Sequence, residues 1–214
     1  KEVHSLIGSS FFVLFLSTPW GSVEYSEIFC LFFMAPSLYL IIQNNSYKKN
    51  IFFSGIFYGL STLVNQGSGV FILLFFYLIF KSNKEYCLRN FIFGFSFPHI
   101  ILFTLYASKN LIDVYFSTLF SIPLKYSRQS FNIFNELSVF LRETFLYDPF
   151  IYLVIIFIVI FSIYRIANKK IWDIDFFPYF GVLLSLLFFY LGSTGYKHHL
   201  IFFLFFICLL PVYS

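Results

Sequence analysis

Three short stretches of this chain hold the side chains best suited to chemistry. The segment Thr18-Pro-Trp-Gly-Ser-Val-Glu-Tyr-Ser-Glu27 sets two carboxylates, Glu24 and Glu27, between two apolar runs. Such a pair can act as a general base, hold a divalent metal or orient an acceptor. The plain alternative is a helix start, where the dipole favours a carboxylate. Asn65 and Gln66, just ahead of Gly67-Ser-Gly69, can hydrogen-bond a sugar or a lipid phosphate, or simply make a turn. Lys197, His198 and His199 beside Tyr196 can neutralise a phosphate, or else form an interfacial cation with two solvated imidazoles. His198 and His199 are adjacent, so on a helix they cannot both face one metal. His99 follows Pro98 in an apolar run and reads as a packed, hydrogen-bonded side chain rather than a ligand. Cys30, Cys87 and Cys208 have neither CxxC nor metal spacing. No Walker loop, dinucleotide fingerprint or GxSxG elbow occurs, so nucleotide-driven chemistry has no support.

The elements that must position these groups are set by composition. The 214 residues are 59% hydrophobic and 11% charged, which excludes an ordinary soluble domain and points to a polytopic membrane protein. Asp, Glu, Lys and Arg are absent from Val3 to Val23, Ile28 to Tyr47, Asn50 to Phe80, Asn90 to Ser108, Pro149 to Tyr164, Phe176 to Tyr196 and His198 to Ser214. Each run approaches or exceeds the roughly 17 to 25 residues that cross the hydrocarbon core. The aromatic fraction of 25% accompanies abundant Ile, Asn and Lys, as codon bias in an AT-rich genome would produce. The net charge of +4 falls in short loops beside the spans, so it marks topology and does not imply a nucleic-acid partner.

Taken in order, the spans are about Leu6 to Pro19, Tyr25 to Gln43 with Pro36 inside, two arms between Asn50 and Phe80, Phe91 to Tyr106, Pro149 to Tyr164, Phe176 to Gly192, and Leu200 to Val212. The run Asn50 to Phe80 is too long for one span and short for two, and Asn65-Gln-Gly-Ser-Gly69 interrupts it. Lys48 and Lys49 precede it, while Lys81, Lys84 and Arg89 follow; only a helical hairpin keeps both basic groups on one side. Arms of about 14 residues reach only about 21 Å, so the polar tip should lie below the outer surface. Backbone at that depth must be buried in protein or face a wet cavity. Gly55-Ile-Phe-Tyr-Gly59 should let another helix approach closely. Residues 107–148 form one long outer connection, in which Phe134, Leu137, Leu141 and Phe145 recur at helical spacing and predict an amphipathic interfacial helix. The expected fold class is therefore all-α: a polytopic transmembrane bundle of about eight spans, including one short hairpin, forming a single membrane domain over residues 1–214. The chain begins with Lys1, and the expectation is a piece of a longer protein.

Ser26-Glu27-Ile28-Phe29, the basic loop after it, Phe53-Ser-Gly-Ile-Phe-Tyr-Gly-Leu-Ser-Thr-Leu-Val-Asn-Gln66, and Tyr196-Lys-His-His199 ahead of Pro211 together resemble the membrane-embedded GT-C glycosyltransferases. The likeness is to the bacterial branch related to protein mannosyltransferases and lipid A aminoarabinose transferases. It implies transfer of a hexosyl or pentosyl group from a polyprenyl-phosphate donor to a lipid, glycan or protein acceptor. The implied place is the outer face of a bacterial inner membrane, among membrane lipids. It implies a general base on an Asp upstream of Lys1, with Glu27 and Glu24 as accessory groups that orient the acceptor or a divalent metal. The fragment alone would then be inactive. Asn65, Gln66, Tyr196, Lys197, His198 and His199 would bind substrate, with Lys197 against the departing phosphate. The chain departs from the pattern at Asn65, where the family has a lysine. An O-antigen-type polysaccharide polymerase or ligase, or a non-catalytic lipid or solute transporter, is the alternative.

Overall fold

The computed structural model describes residues 26–43, 48–81, 87–122, 176–191 and 200–213, with single residues scattered between 138 and 164. The expected first span, the residues of the span Pro149 to Tyr164 other than a few single positions, and the amphipathic pattern Phe134 to Phe145 lie outside the described residues, so the expected total of about eight spans is not reached among them. Every described element is helical, and no strand occurs among them. In order they are α1 (Ser26–Ile42), α2 (Lys48–Val64), a 3-10 segment (Gln66–Phe71), α3 (Ile72–Lys81), α4 (Leu88–Ser108), α5 (Ile112–Phe116) with a π turn (Ser117–Ser121), α6 (Phe177–Leu191) and α7 (Leu200–Tyr213). Among the described residues one helix, α4, is long and apolar enough by itself to cross a membrane.

Glu27 in the first turn of α1 suits the dipole, whereas Lys48 and Lys49 at the start of α2 oppose it. Those lysines are placed by topology rather than by capping. Side-chain pairs between helices settle the directions. Ser37 meets Ser54, Cys30 meets Ser61 and Glu27 meets Asn65, so α1 runs antiparallel to α2. Beyond the turn, the Tyr58 and Phe75 rings lie 4.3 Å apart, which folds α3 back along α2 as the expected hairpin. Thr62 meets His99, and Gly55 meets Phe91, so α4 runs parallel to α2. Phe71 packs on Phe188 and Tyr77 on Phe180, turning α6 against α3, and Phe188 on Phe202 turns α7 back again.

The outcome is a bundle with two distinct ends. Lys48, Lys49, Lys81 and Arg89 share one end. Ser26, the turn after Asn65, the end of α4, the end of α6 and the start of α7 share the other. From the Thr62–His99 pairing, α4 continues roughly 9 Å past the level of Asn65 at about 1.5 Å per residue, so the hairpin tip is recessed.

Large apolar side chains lie outside and small or polar ones inside. Phe32 is 72% exposed, Ile100 60% and Phe93 58%, while Glu27, Ser37, Ser54, Ser61, Thr62 and Ser68 are buried. Small and polar residues inside, with large apolar ones outside, suit packing between helices that share an apolar solvent. Gly55, Gly59 and Gly94 are where α2 and α4 press together: a β-carbon on any of them would strike the partner helix's backbone carbonyl, at Phe91, Phe95 and Phe52 respectively. The GxxxG expectation is met, with Gly94 as its counterpart. Where the sequence pattern carries no signal, the long connection opens with α5: Asn110 takes a positive φ of 55°, and Tyr115 packs on Phe103 and Tyr106.

Candidate functional site

The recessed tip brings two of the sequence-derived candidates into direct contact. The Asn65 amide nitrogen donates to the Glu27 Oε1 at 2.9 Å, and the Ser26 hydroxyl donates to Oε2 at 3.2 Å. The same amide nitrogen lies 3.3 Å from the Ser26 oxygen. Glu27 is only 2% exposed, so its carboxylate is held inside the bundle rather than presented to solvent. This contact ties α1 directly to the tip.

Asn65 serves a second purpose. Its Oδ1 accepts from the Gly67 amide at 3.0 Å, capping the 3-10 segment, and its carbonyl accepts from both the Ser68 amide and the Ser68 hydroxyl. Its φ of −143° and ψ of 108° break the helix and redirect the chain. A lysine at this position could not make the Oδ1 cap, since its ammonium only donates. Tyr58 closes the turn from below by donating to the Ser68 and Gly69 carbonyls at 2.9 and 3.1 Å. Gln66 is half-buried at the start of the 3-10 segment.

Below the tip the α1–α2 seam continues as side-chain pairs. Cys30 Sγ lies 2.7 Å from Ser61 Oγ, and Ser37 and Ser54 exchange hydroxyl-to-carbonyl bonds of 2.7 and 2.8 Å. On the opposite flank of α2, Thr62 donates to the Gly59 carbonyl at 2.9 Å and lies 3.0 Å from His99 Nε2. His99 is thus the packed, hydrogen-bonded residue that its setting implied. The partners Ser37, Ser54, Ser61, Cys30 and Thr62 were not among the sequence candidates. The available signal was small or polar residues at helical spacing on two flanks, Ser54, Ser61 and Asn65 on one and Gly55, Gly59 and Thr62 on the other.

Glu24, Tyr196, Lys197, His198 and His199 lie outside the described residues. Leu191 and Leu200, the helix ends that flank the last four, sit at the tip end, because Phe188 lies against Gly67 and Phe202 against Phe71. Among the described residues no three His, Cys, Asp or Glu side chains gather as a metal site. No family model, curated protein or solved structure matches this chain.

Proposed function

We propose that this chain is part of a polytopic membrane glycosyltransferase, of about eight spans over residues 1–214, that moves a sugar from a polyprenyl-phosphate donor to an acceptor on the outer face. The observation that carries the reading is the gathering of Glu27, Asn65 and the two helix ends flanking residues 192–199 at one end of the bundle, opposite Lys48, Lys49, Lys81 and Arg89. Lys and Arg stay on the cytoplasmic side, so the tip end faces outward, towards the extracytoplasmic side of a bacterial inner membrane. A recess of roughly 9 Å puts its polar groups near the depth of a lipid phosphate.

In the reaction, an acceptor oxygen bonds to the anomeric carbon as the bond from that carbon to the phosphate oxygen breaks. The electron pair stays on the lipid phosphate, and the acceptor proton passes to a general base. Glu27, enclosed and bonded to Asn65, is suited to positioning the tip rather than to taking that proton. Lys197 is assigned the charge on the departing phosphate, where a cation stabilises the transition state. In the full-length protein, Glu27→Gln should raise KM for the acceptor, and Lys197→Ala should lower kcat by about tenfold or more, each with expression intact. Wild-type kinetics in both variants would refute the assignment.

One observation favours a second reading. Glu27 is an ionisable side chain buried between helices, and in membranes such groups often mark ion or proton pathways. A lipid or solute transporter would then catalyse proton-dependent uptake into vesicles, abolished by Glu27→Gln, with no sugar transfer. Transfer without uptake supports the enzyme.

A further inference from the structure

Hydrogen counting at the α2–α4 contact makes His99 Nε2 a donor. Thr62 has one hydroxyl hydrogen, and two oxygen or nitrogen partners lie in reach: the Gly59 carbonyl at 2.9 Å and His99 Nε2 at 3.0 Å. Both bonds form only if the hydroxyl donates to the carbonyl and accepts from the imidazole. In a neutral ring this makes His99 the Nε2–H tautomer, with its lone pair on Nδ1. Among the described residues Nδ1 has no hydrogen-bond partner; the ring's other contact is with Phe95, at a centroid distance of 5.1 Å. The side chain is half-buried, roughly 4.5 Å below Asn65 along the bundle, since Thr62 precedes Asn65 by three residues. Just beyond it α4 runs past the hairpin tip with Ile100 and Phe103 exposed.

A half-buried acceptor beside apolar side chains selects its ligand by chemistry. A lone pair on neutral imidazole repels the oxygens of a phosphate and accepts from a hydroxyl. The geometry points to His99 as a binding residue whose Nδ1 accepts a hydrogen bond from a carbohydrate hydroxyl, that of the lipid-linked sugar, at the recessed tip. This rests on the glycosyltransferase reading and sharpens it: the sugar, rather than the lipid phosphate, is what reaches past Asn65 to the level of Thr62. Thr62 is the positioning residue that holds the ring in the accepting tautomer.

The test uses full-length protein in native membranes treated with diethyl pyrocarbonate, which carbethoxylates an imidazole nitrogen bearing a free lone pair, with modification at His99 read by peptide mass spectrometry. His99 should react, and undecaprenyl-phosphate hexose should protect it about tenfold, while undecaprenyl phosphate without sugar leaves it reactive. In transfer assays, His99→Gln keeps a donor for Thr62 but removes the Nδ1 lone pair, so KM for the sugar donor should rise with kcat within about twofold. An unreactive His99, equal protection by the bare lipid phosphate, or an unchanged KM in His99→Gln would overturn the inference. Absence of transfer by the wild-type protein would instead refute the glycosyltransferase reading, while the labelling pattern still decides whether a sugar hydroxyl meets His99.

Discussion

Helix α2 is held on its two flanks by opposite means. Towards α1 it offers side chains: Ser54 to Ser37, Ser61 to Cys30 and Asn65 to Glu27. Towards α4 it offers close backbone contact, because Gly55 and Gly59 let the partner's backbone in and Gly94 reciprocates, with the Tyr58 ring packed on Phe91 and Phe95. The contrast follows from what a helix can exchange when its surroundings are apolar. In a membrane, burial of apolar surface gains little between lipid and protein, so association there would rest on close packing or on hydrogen bonds. Close packing is intolerant of added volume, whereas hydrogen bonds tolerate volume and fail when a partner is lost. Among the described residues only Thr62–His99 adds a side-chain hydrogen bond to the glycine seam, and it lies towards the tip end.

This difference can be broken at its strongest point first. Gly55→Leu drives a side chain into the Phe91 carbonyl, which is backbone and cannot rotate away, so α2 and α4 must separate at a cost of about 3 kcal/mol. Thermal unfolding in detergent measures it. Gly69→Ala, with nothing within 4 Å of its β-carbon, is the paired control and should leave the melting curve unchanged. The next effect belongs to the polar seam. Glu27→Ala deprives the Asn65 amide of its buried acceptor and should cost about 2 kcal/mol, whereas Glu27→Gln retains an acceptor oxygen and should cost about half that. If both variants melt alike, Glu27 does not tie α1 to the tip. Smallest is Ser37 with Ser54: a double-mutant cycle of alanine substitutions should return a coupling near 0.6 kcal/mol, the typical size for hydrogen bonds between membrane helices. Zero coupling would reduce the Ser37–Ser54 part of the α1–α2 seam to packing.

Glu27 and Asn65 were both legible as candidates, each from its own neighbourhood: a carboxylate beginning a helix, and a polar residue ahead of Gly-Ser-Gly. That they bond to each other was not. Nor did the resemblance to GT-C enzymes anticipate how the asparagine departs from their lysine, because the Oδ1 cap on Gly67 is a property of the folded turn. His99 was readable as a packed residue, but its partner Thr62 was one hydroxyl among many.

What the sequence by itself determined is the set of long-range constraints written in charge and breakers. Charge-free runs set the positions of α1, α2, α3, α4, α6 and α7, the turn residues from Asn65 to Gly69 set the hairpin tip, and Lys48, Lys49, Lys81 and Arg89 set its polarity. The rotation of each helix about its axis was decided only by the tertiary structure. A helix that is apolar all round has no solvated stripe to orient it. Its facing residues emerge only when a glycine finds a backbone to approach or a hydroxyl finds a partner, and both are properties of two helices together. The same reason puts Glu27 against Asn65 and His99 against Thr62 at one recessed end of the bundle.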